Sequence, residues 1–112
     1  MDRLKPAVRW LRSYWDEEDV LYFFEADEDG WVLRQVELHG KDRTPAVAAS
    51  LEEWPDTDRD GLAAVQAYEA KYGGLADQPI GEWEAGFSHD EIDRAAFEIV
   101  WQQARAHLTR SK

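Results

Sequence analysis

The stretch from Val20 to His39 (VLYFFEADEDGWVLRQVELH) sets two runs rich in β-branched and aromatic residues on either side of Asp29-Gly30. Asp-Gly between such runs is the strongest short-range signal for a β-hairpin, and a hairpin with apolar strands needs an antiparallel sheet around it. A two-residue type I′ turn at Asp29 and Gly30 sets Glu28 opposite Trp31. It then pairs Leu21 with Leu38, Phe23 with Val36 and Glu25 with Arg34. One face carries Leu21, Phe23, Glu25, Val32, Arg34, Val36 and Leu38, and the other Tyr22, Phe24, Ala26, Trp31, Leu33, Gln35, Glu37 and His39. Both faces are substantially apolar, which predicts that at least part of each is covered.

The rest of the chain supplies what pairs with the hairpin and what covers it. Residues 7 to 15 (AVRWLRSYW) alternate and predict a first strand, and residues 45 to 50 (PAVAAS) a short fourth strand after a turn over Gly40 to Thr44. After Trp54-Pro55 the apolar period lengthens from two to about 3.6 residues. A helix is predicted from Thr57 to Tyr72, with Leu62, Val65, Tyr68 and Tyr72 on one stripe and Gly73-Gly74 as its stop. Residues 75 to 87 (LADQPIGEWEAGF) read as an ordered loop pinned by Ile80, Trp83 and Phe87. Ser88-His89-Asp90-Glu91 has the form of a capping box, with Phe87 and Ile92 as its hydrophobic staple, so the last helix is predicted from His89 to Leu108. Its apolar arc, Ile92, Ala96, Phe97, Ile99, Val100, Trp101, Ala104 and Leu108, is broad enough to require packing on a sheet. These elements make residues 1 to 112 a single α+β domain: a three- to four-stranded antiparallel meander with two helices packed on one face.

Composition narrows the function classes. Fourteen aromatic residues, six of them Trp, are too many for a disordered chain despite a formal charge of −11. The absence of Cys excludes disulfides, a cysteine nucleophile and thiolate-held metals. No apolar run is long enough for a membrane span, and Met1 to Trp15 interleaves charges with Trp and Tyr rather than preceding an apolar block, so a cytoplasmic location without a signal peptide is expected. An acidic chain, with pI near 4.6, repels phosphates, which argues against nucleic acid or an anionic membrane as partner. Asn is absent, Arg outnumbers Lys nine to four and Ala occurs fifteen times, a bias that GC-rich codons in a high-GC bacterium produce.

The charge has an address. Residues 16 to 60 hold fifteen acidic and four basic side chains, concentrated at Asp16 to Asp19, Asp27 to Asp29 and Glu52 to Asp60, which fall between the elements. Such runs are either solvated loops or a surface that steers a basic partner. Asp56, Asp58, Asp60 and Gly61 match the first half of a calcium-binding EF-hand loop. Position 12 of that loop falls on Ala67, where a bidentate Glu belongs, so calcium stands as the weaker alternative to an acidic helix start capped by Thr57 or Asp58. No other metal or cofactor is indicated.

Glu25 and Arg34 pair across the hairpin, either as a structural ion pair or as a carboxylate and a guanidinium offered to a ligand. Tyr22, Glu37 and His39 share the reverse face, as solvent-facing polar residues or as an acid–base cluster. Trp10, Trp15 and Trp101 fall in periodic elements and are expected in the core. Trp31, Trp54 and Trp83 flank turns, where Trp either pins a loop or anchors a partner.

Together, the hairpin and the segment FSHDEIDRAAFEIVWQQA resemble a family of small uncharacterised bacterial proteins grouped as a domain of unknown function. In that family a strand ending in Tyr-x-Glu, a hairpin with Arg-x-Val-Glu and a C-terminal helix with Phe-Glu-x-x-Trp recur. Glu25, Arg34, Val36, Glu37, Phe97, Glu98 and Trp101 occupy those places, with Phe23 in place of the Tyr. The resemblance brings no activity with it. The residues themselves favour a small acidic domain that binds a basic protein, for instance an immunity-type inhibitor of a basic toxin or enzyme, steered by the acids and anchored by Trp. The alternative is a small-ligand module or compact enzyme with a pocket on a sheet face.

Overall fold

The computed structural model describes residues 8–80 and 89–110. Five antiparallel strands, β1 (Arg9–Trp15), β2 (Val20–Ala26), β3 (Val32–His39), β4 (Thr44–Ser50) and β5 (His89–Ile92), form one sheet in the order β4-β3-β2-β1-β5. Among the described residues three helices accompany it: α1 (Thr57–Asp60), α2 (Leu62–Tyr72) and α3 (Arg94–Arg110). The class is α+β, and among the described residues five strands and three helices replace the expected three to four strands and two helices.

The hairpin register holds while its turn differs. Leu21 pairs with Leu38, Phe23 with Val36 and Glu25 with Arg34, but Ala26 pairs with Val32 rather than Leu33. The Gly30 N–H donates to the Asp27 carbonyl at 3.0 Å and the Asp27 N–H to the Trp31 carbonyl at 2.9 Å. These bonds define a three-residue loop, Glu28 to Gly30, in place of the two-residue turn. Gly30 takes φ 90, which only glycine adopts without strain. The Asp27 carboxylate accepts from the Asp29 and Trp31 N–H groups and favours this form. A bulge at Leu33 absorbs the extra residue. It turns Val32 onto the face of Phe24 and Ala26, away from Arg34, so the predicted place of Val32 is corrected.

The outer elements differ more. His89 to Ile92, predicted as the first turn of the last helix, is the edge strand β5, paired with Trp10 to Ser13 of β1. The helix begins one residue after Asp93, whose Oδ1 accepts from the Ala96 N–H at 2.8 Å and so supplies the cap expected further upstream. Ser88, Phe87 and Trp83 lie outside the described residues. The predicted helix 57–72 is broken at Gly61 (φ 88, ψ 159) into α1 and α2, and Leu62 is exposed. Asp56 caps α1, accepting from the Asp58 and Arg59 N–H groups, rather than Thr57 or Asp58. The cap falls one residue early because the Asp56 backbone is extended, while Thr57 and Asp58 are already helical.

Both faces of the sheet are covered. On one, Phe23, Val36 and Ala48 pack against Phe97, Ala104 and Leu108 of α3, with Tyr72 of α2 at the margin. Ile99 and Ala96, included in the predicted arc, face solvent. On the other face, Leu11, Phe24, Ala26 and Val32 pack under Ile80, with Leu75 and Ala76 beside them. The chain reaches that face by rounding the sheet past β4 at Gly73, whose absent side chain makes room for Val47: a Cβ there would lie 2.6 Å from Val47 Cγ2.

Phe97→Ala is expected to cost about 3–5 kcal/mol and Ile99→Ala under about 0.5 kcal/mol in urea denaturation. Equal costs would contradict this orientation of α3.

Candidate functional site

One row of cross-strand neighbours runs through all five strands: Ile92, Trp10, Glu25, Arg34 and Ser50. On this row the Arg34 guanidinium meets Glu25, with Nε to Oε1 and Nη2 to Oε2 both at 2.7 Å, a bidentate pair. Glu98, projecting from α3, closes the other side with Nη1 to Oε1 at 3.1 Å and Nη2 to Oε2 at 2.5 Å. The Trp10 indole N–H donates to Glu25 Oε2 at 2.9 Å. Above and beside the guanidinium lie the rings of Phe97 and Trp101, 4.9 and 5.0 Å from its central carbon. Arg34 and Glu25 keep only 17% and 14% of their side-chain surface, so the pair is largely withdrawn from solvent screening.

The protonation states follow from this arrangement. Burial, the largest influence on Glu25, pushes its pKa up, but the hydrogen bonds from Arg34 and Trp10 together outweigh it and hold the carboxyl below the usual 4.5. Glu98 is likewise lowered, chiefly by its hydrogen bonds to Arg34. Arg34 is raised, first by Glu25.

A second arginine stands next to this cluster. Arg105 Nε donates to the Ala48 carbonyl at 2.7 Å, and its guanidinium lies over Tyr72 and Trp101 and pairs with Glu53. The Tyr68 hydroxyl accepts from the Ser50 N–H and donates to Glu53, both at 2.8 Å. Burial first, then Glu53, pushes the Tyr68 pKa up to about 12. Trp54 packs edge-on against Tyr68, with ring centroids 5.2 Å apart.

Between the two arginine clusters opens a cleft of about 630 Å³. Four carboxylates (Glu25, Glu52, Glu53, Glu98) and two guanidinium groups (Arg34, Arg94) line it, with Leu33, Leu51 and Trp101 as its apolar parts. Leu51 and Trp31 are both half exposed. They leave the sheet at the same end, because Ser50 pairs with Arg34 and the Leu51 N–H bonds to the Leu33 carbonyl.

Tyr22, Glu37 and His39 lie on the reverse face as expected, Tyr22 opposite Glu37 and His39 Nε2 at 3.0 Å from Glu37 Oε1. Trp15, expected in the core, is more than a third exposed at the end of β1. Asp56 and Asp60 are engaged at the start of α1, Asp60 accepting from the Asp56 N–H and pairing with Arg59, while Asp58 is exposed. Among the described residues no group of three His, Asp or Glu side chains converges as a metal site, and no helix is long and apolar enough to cross a membrane.

Glu98 carries half of the Arg34 clamp, yet only the Phe-Glu-x-x-Trp resemblance pointed to it. Its helical spacing beside Phe97 and Trp101 is the signal that a reading of the hairpin alone passes over. Arg105, Tyr68 and Glu53 were not anticipated, since nothing local joins residues from three separate elements.

Comparison of the chain with protein-family models, curated proteins and solved structures finds no match. Fold and site therefore define the class: a five-stranded antiparallel α+β domain with a guanidinium clamped between two carboxylates beside an open acidic cleft.

Arg34→Met strands two neighbouring carboxylates and is expected to cost about 3 kcal/mol at neutral pH. Because Glu25 and Glu98 titrate below their unfolded values, they contribute stability that is full above the usual 4.5 and lost as pH falls through the folded values. Wild-type stability should therefore fall as the pH drops below the usual 4.5, whereas Arg34→Met, with its carboxyls raised, should lose less or gain. Parallel pH curves in urea denaturation would contradict the clamp.

Proposed function

We propose that this chain is a small acidic protein-binding domain that docks onto a basic surface of another protein, in the manner of an immunity-type inhibitor occupying a basic toxin or enzyme. The observation that carries the reading is the excess of carboxylates around the open cleft, with half-exposed Leu51 and Trp31 at the same end of the sheet. Acid steers the encounter, and apolar and aromatic surface at the centre of the contact slows dissociation.

Arg34 and Arg94 offset part of this charge, and the four carboxylates lining the cleft still outnumber them. Arg34 is consumed by Glu25 and Glu98, and Arg105 by Glu53, so both serve to hold carboxylates in fixed places. Glu28 and Glu52 add charge at the same end, from the β2–β3 turn and from the segment after β4, and Asp58 follows on α1. A basic partner thus meets carboxylates that are already oriented, which reduces the ordering cost of association.

Neutralising Glu28, Glu52 and Asp58 together as Gln, Gln and Asn tests this without touching Asp56 and Asp60, which hold the start of α1. Proteins captured by the wild type should be basic, and the triple variant should associate with the purified partner about tenfold more slowly at low salt with an unchanged melting temperature. Capture undiminished at about 1 M salt, or unchanged association kinetics, would return the acids to the role of solvated loops.

A further inference from the structure

The face away from α3 holds a second concavity, of about 310 Å³, at the small end of the range for ligand pockets, roughly 300–1,000 Å³. Its wall is aromatic. Tyr22 and Phe24 stand two residues apart on β2 with rings nearly parallel (9°) and centroids 5.6 Å apart, and Trp15 lines the cleft beside them. Its polar side is acidic: Glu37 from β3 and Asp77 from the covering segment both line the cleft, and among the described residues no Lys or Arg does.

This polar side is fixed in place. Gln35, buried at 6% exposure, donates its amide N–H to Glu37 Oε2 at 2.8 Å, and its own oxygen accepts from the Ala76 N–H at 2.8 Å. One buried amide therefore orients the carboxylate and also ties down the backbone next to Asp77. His39 holds the other oxygen of Glu37. Aromatic faces present negative charge to whatever lies over them, and carboxylates do the same along the rim. A pocket lined by both repels anions and attracts a cation, with the amides of Gln35 and Gln78 as its neutral polar part.

We propose that this cleft binds an organic cation with an alkylammonium head group, seated against Trp15 and Tyr22 and neutralised by Glu37 and Asp77. The site lies on the opposite sheet face from the acidic cleft beside Arg34 and does not depend on the docking function. A lysine side chain of another protein offers the same chemistry as a free small ammonium, so both are to be compared.

Choline, its neutral isostere 3,3-dimethylbutan-1-ol and Nα-acetyl-lysine methylamide, whose side-chain ammonium is free, are titrated into the full chain, with side-chain NMR shifts of Trp15 and Tyr22 as the readout. Choline or the lysine amide should bind at least about tenfold more tightly than the neutral alcohol, because the alcohol keeps the shape and loses the charge. Whichever of the two cations binds better assigns the source. Trp15→Leu should weaken that binding about tenfold, and Asp77→Asn severalfold, with melting temperatures unchanged. Glu37→Gln serves as a third variant, used only where it folds. An alcohol that binds as tightly as the better of the two cations, or no saturable shift with either cation, would overturn the proposal, as would cation binding that survives both Trp15→Leu and Asp77→Asn.

Discussion

Arg34 joins parts of the chain that are far apart in sequence. Its backbone belongs to the central hairpin, and its guanidinium is shared between Glu25 on the neighbouring strand and Glu98 on the last helix, 64 residues away. A cation at this depth is tolerable only because every direction is answered: two bidentate carboxylates in the plane and aromatic rings of Phe97 and Trp101 close by. The cost of leaving any of these groups alone makes the arrangement specific. A helix shifted by one turn would keep much of its apolar burial while separating Glu98 from Arg34. Ion pairing therefore selects one seating among several that hydrophobic contact alone would allow.

From that seating the rest of the molecule follows. With α3 fixed over β1 to β4, Ala104 and Leu108 close the core above Phe23, Val36 and Ala48, and Arg105 comes within reach of the Ala48 carbonyl. Arg105 then gathers Tyr68, Tyr72 and Glu53, which brings α2 and the segment after β4 against the same helix. The cleft is the space these two arginine clusters leave between them. On the reverse face the buried Gln35 performs a comparable task at smaller scale, binding Glu37 on its own strand and Ala76 on the segment that crosses it.

The hairpin was legible because its signals are local and agree with one another: alternation, β-branched and aromatic residues, and Asp-Gly at the centre. The pairing of Glu25 with Arg34 followed from it and survives in the structure, even though the loop is one residue longer, because the bulge at Leu33 restores the register before Glu25 is reached. Where a local rule meets a distant contact, the reading failed. Ser88 to Glu91 satisfies a helix-start pattern and His89 to Ile92 shows no alternation of its own, yet pairing with β1 decides the matter through contacts some 78 residues apart, such as Arg12 with Asp90. Gly61 was absorbed into a helix because a single glycine is a weak breaker in sequence, although its backbone there is far from helical. The Arg105 cluster had no local signature at all. Glu98 had only its place in a motif, which names a residue without saying what it touches.

The acidic charge takes its place on this scaffold. It lies in the β1–β2 and β2–β3 turns and in the segment leading into α1, and at the β2–β3 end it continues into a cleft whose carboxylates are held by arginines rather than left to fluctuate. Everything in that description depends on the coupling between sheet and helix through Arg34. The most direct measurement is a double-mutant cycle between Arg34→Met and Glu98→Gln, read by urea denaturation at neutral pH. A coupling energy of at least about 1.5 kcal/mol is expected for charged groups hydrogen-bonded at this depth. A value near zero would mean that the helix is seated by apolar packing alone, and the clamp would lose its place as the interaction that orders the fold.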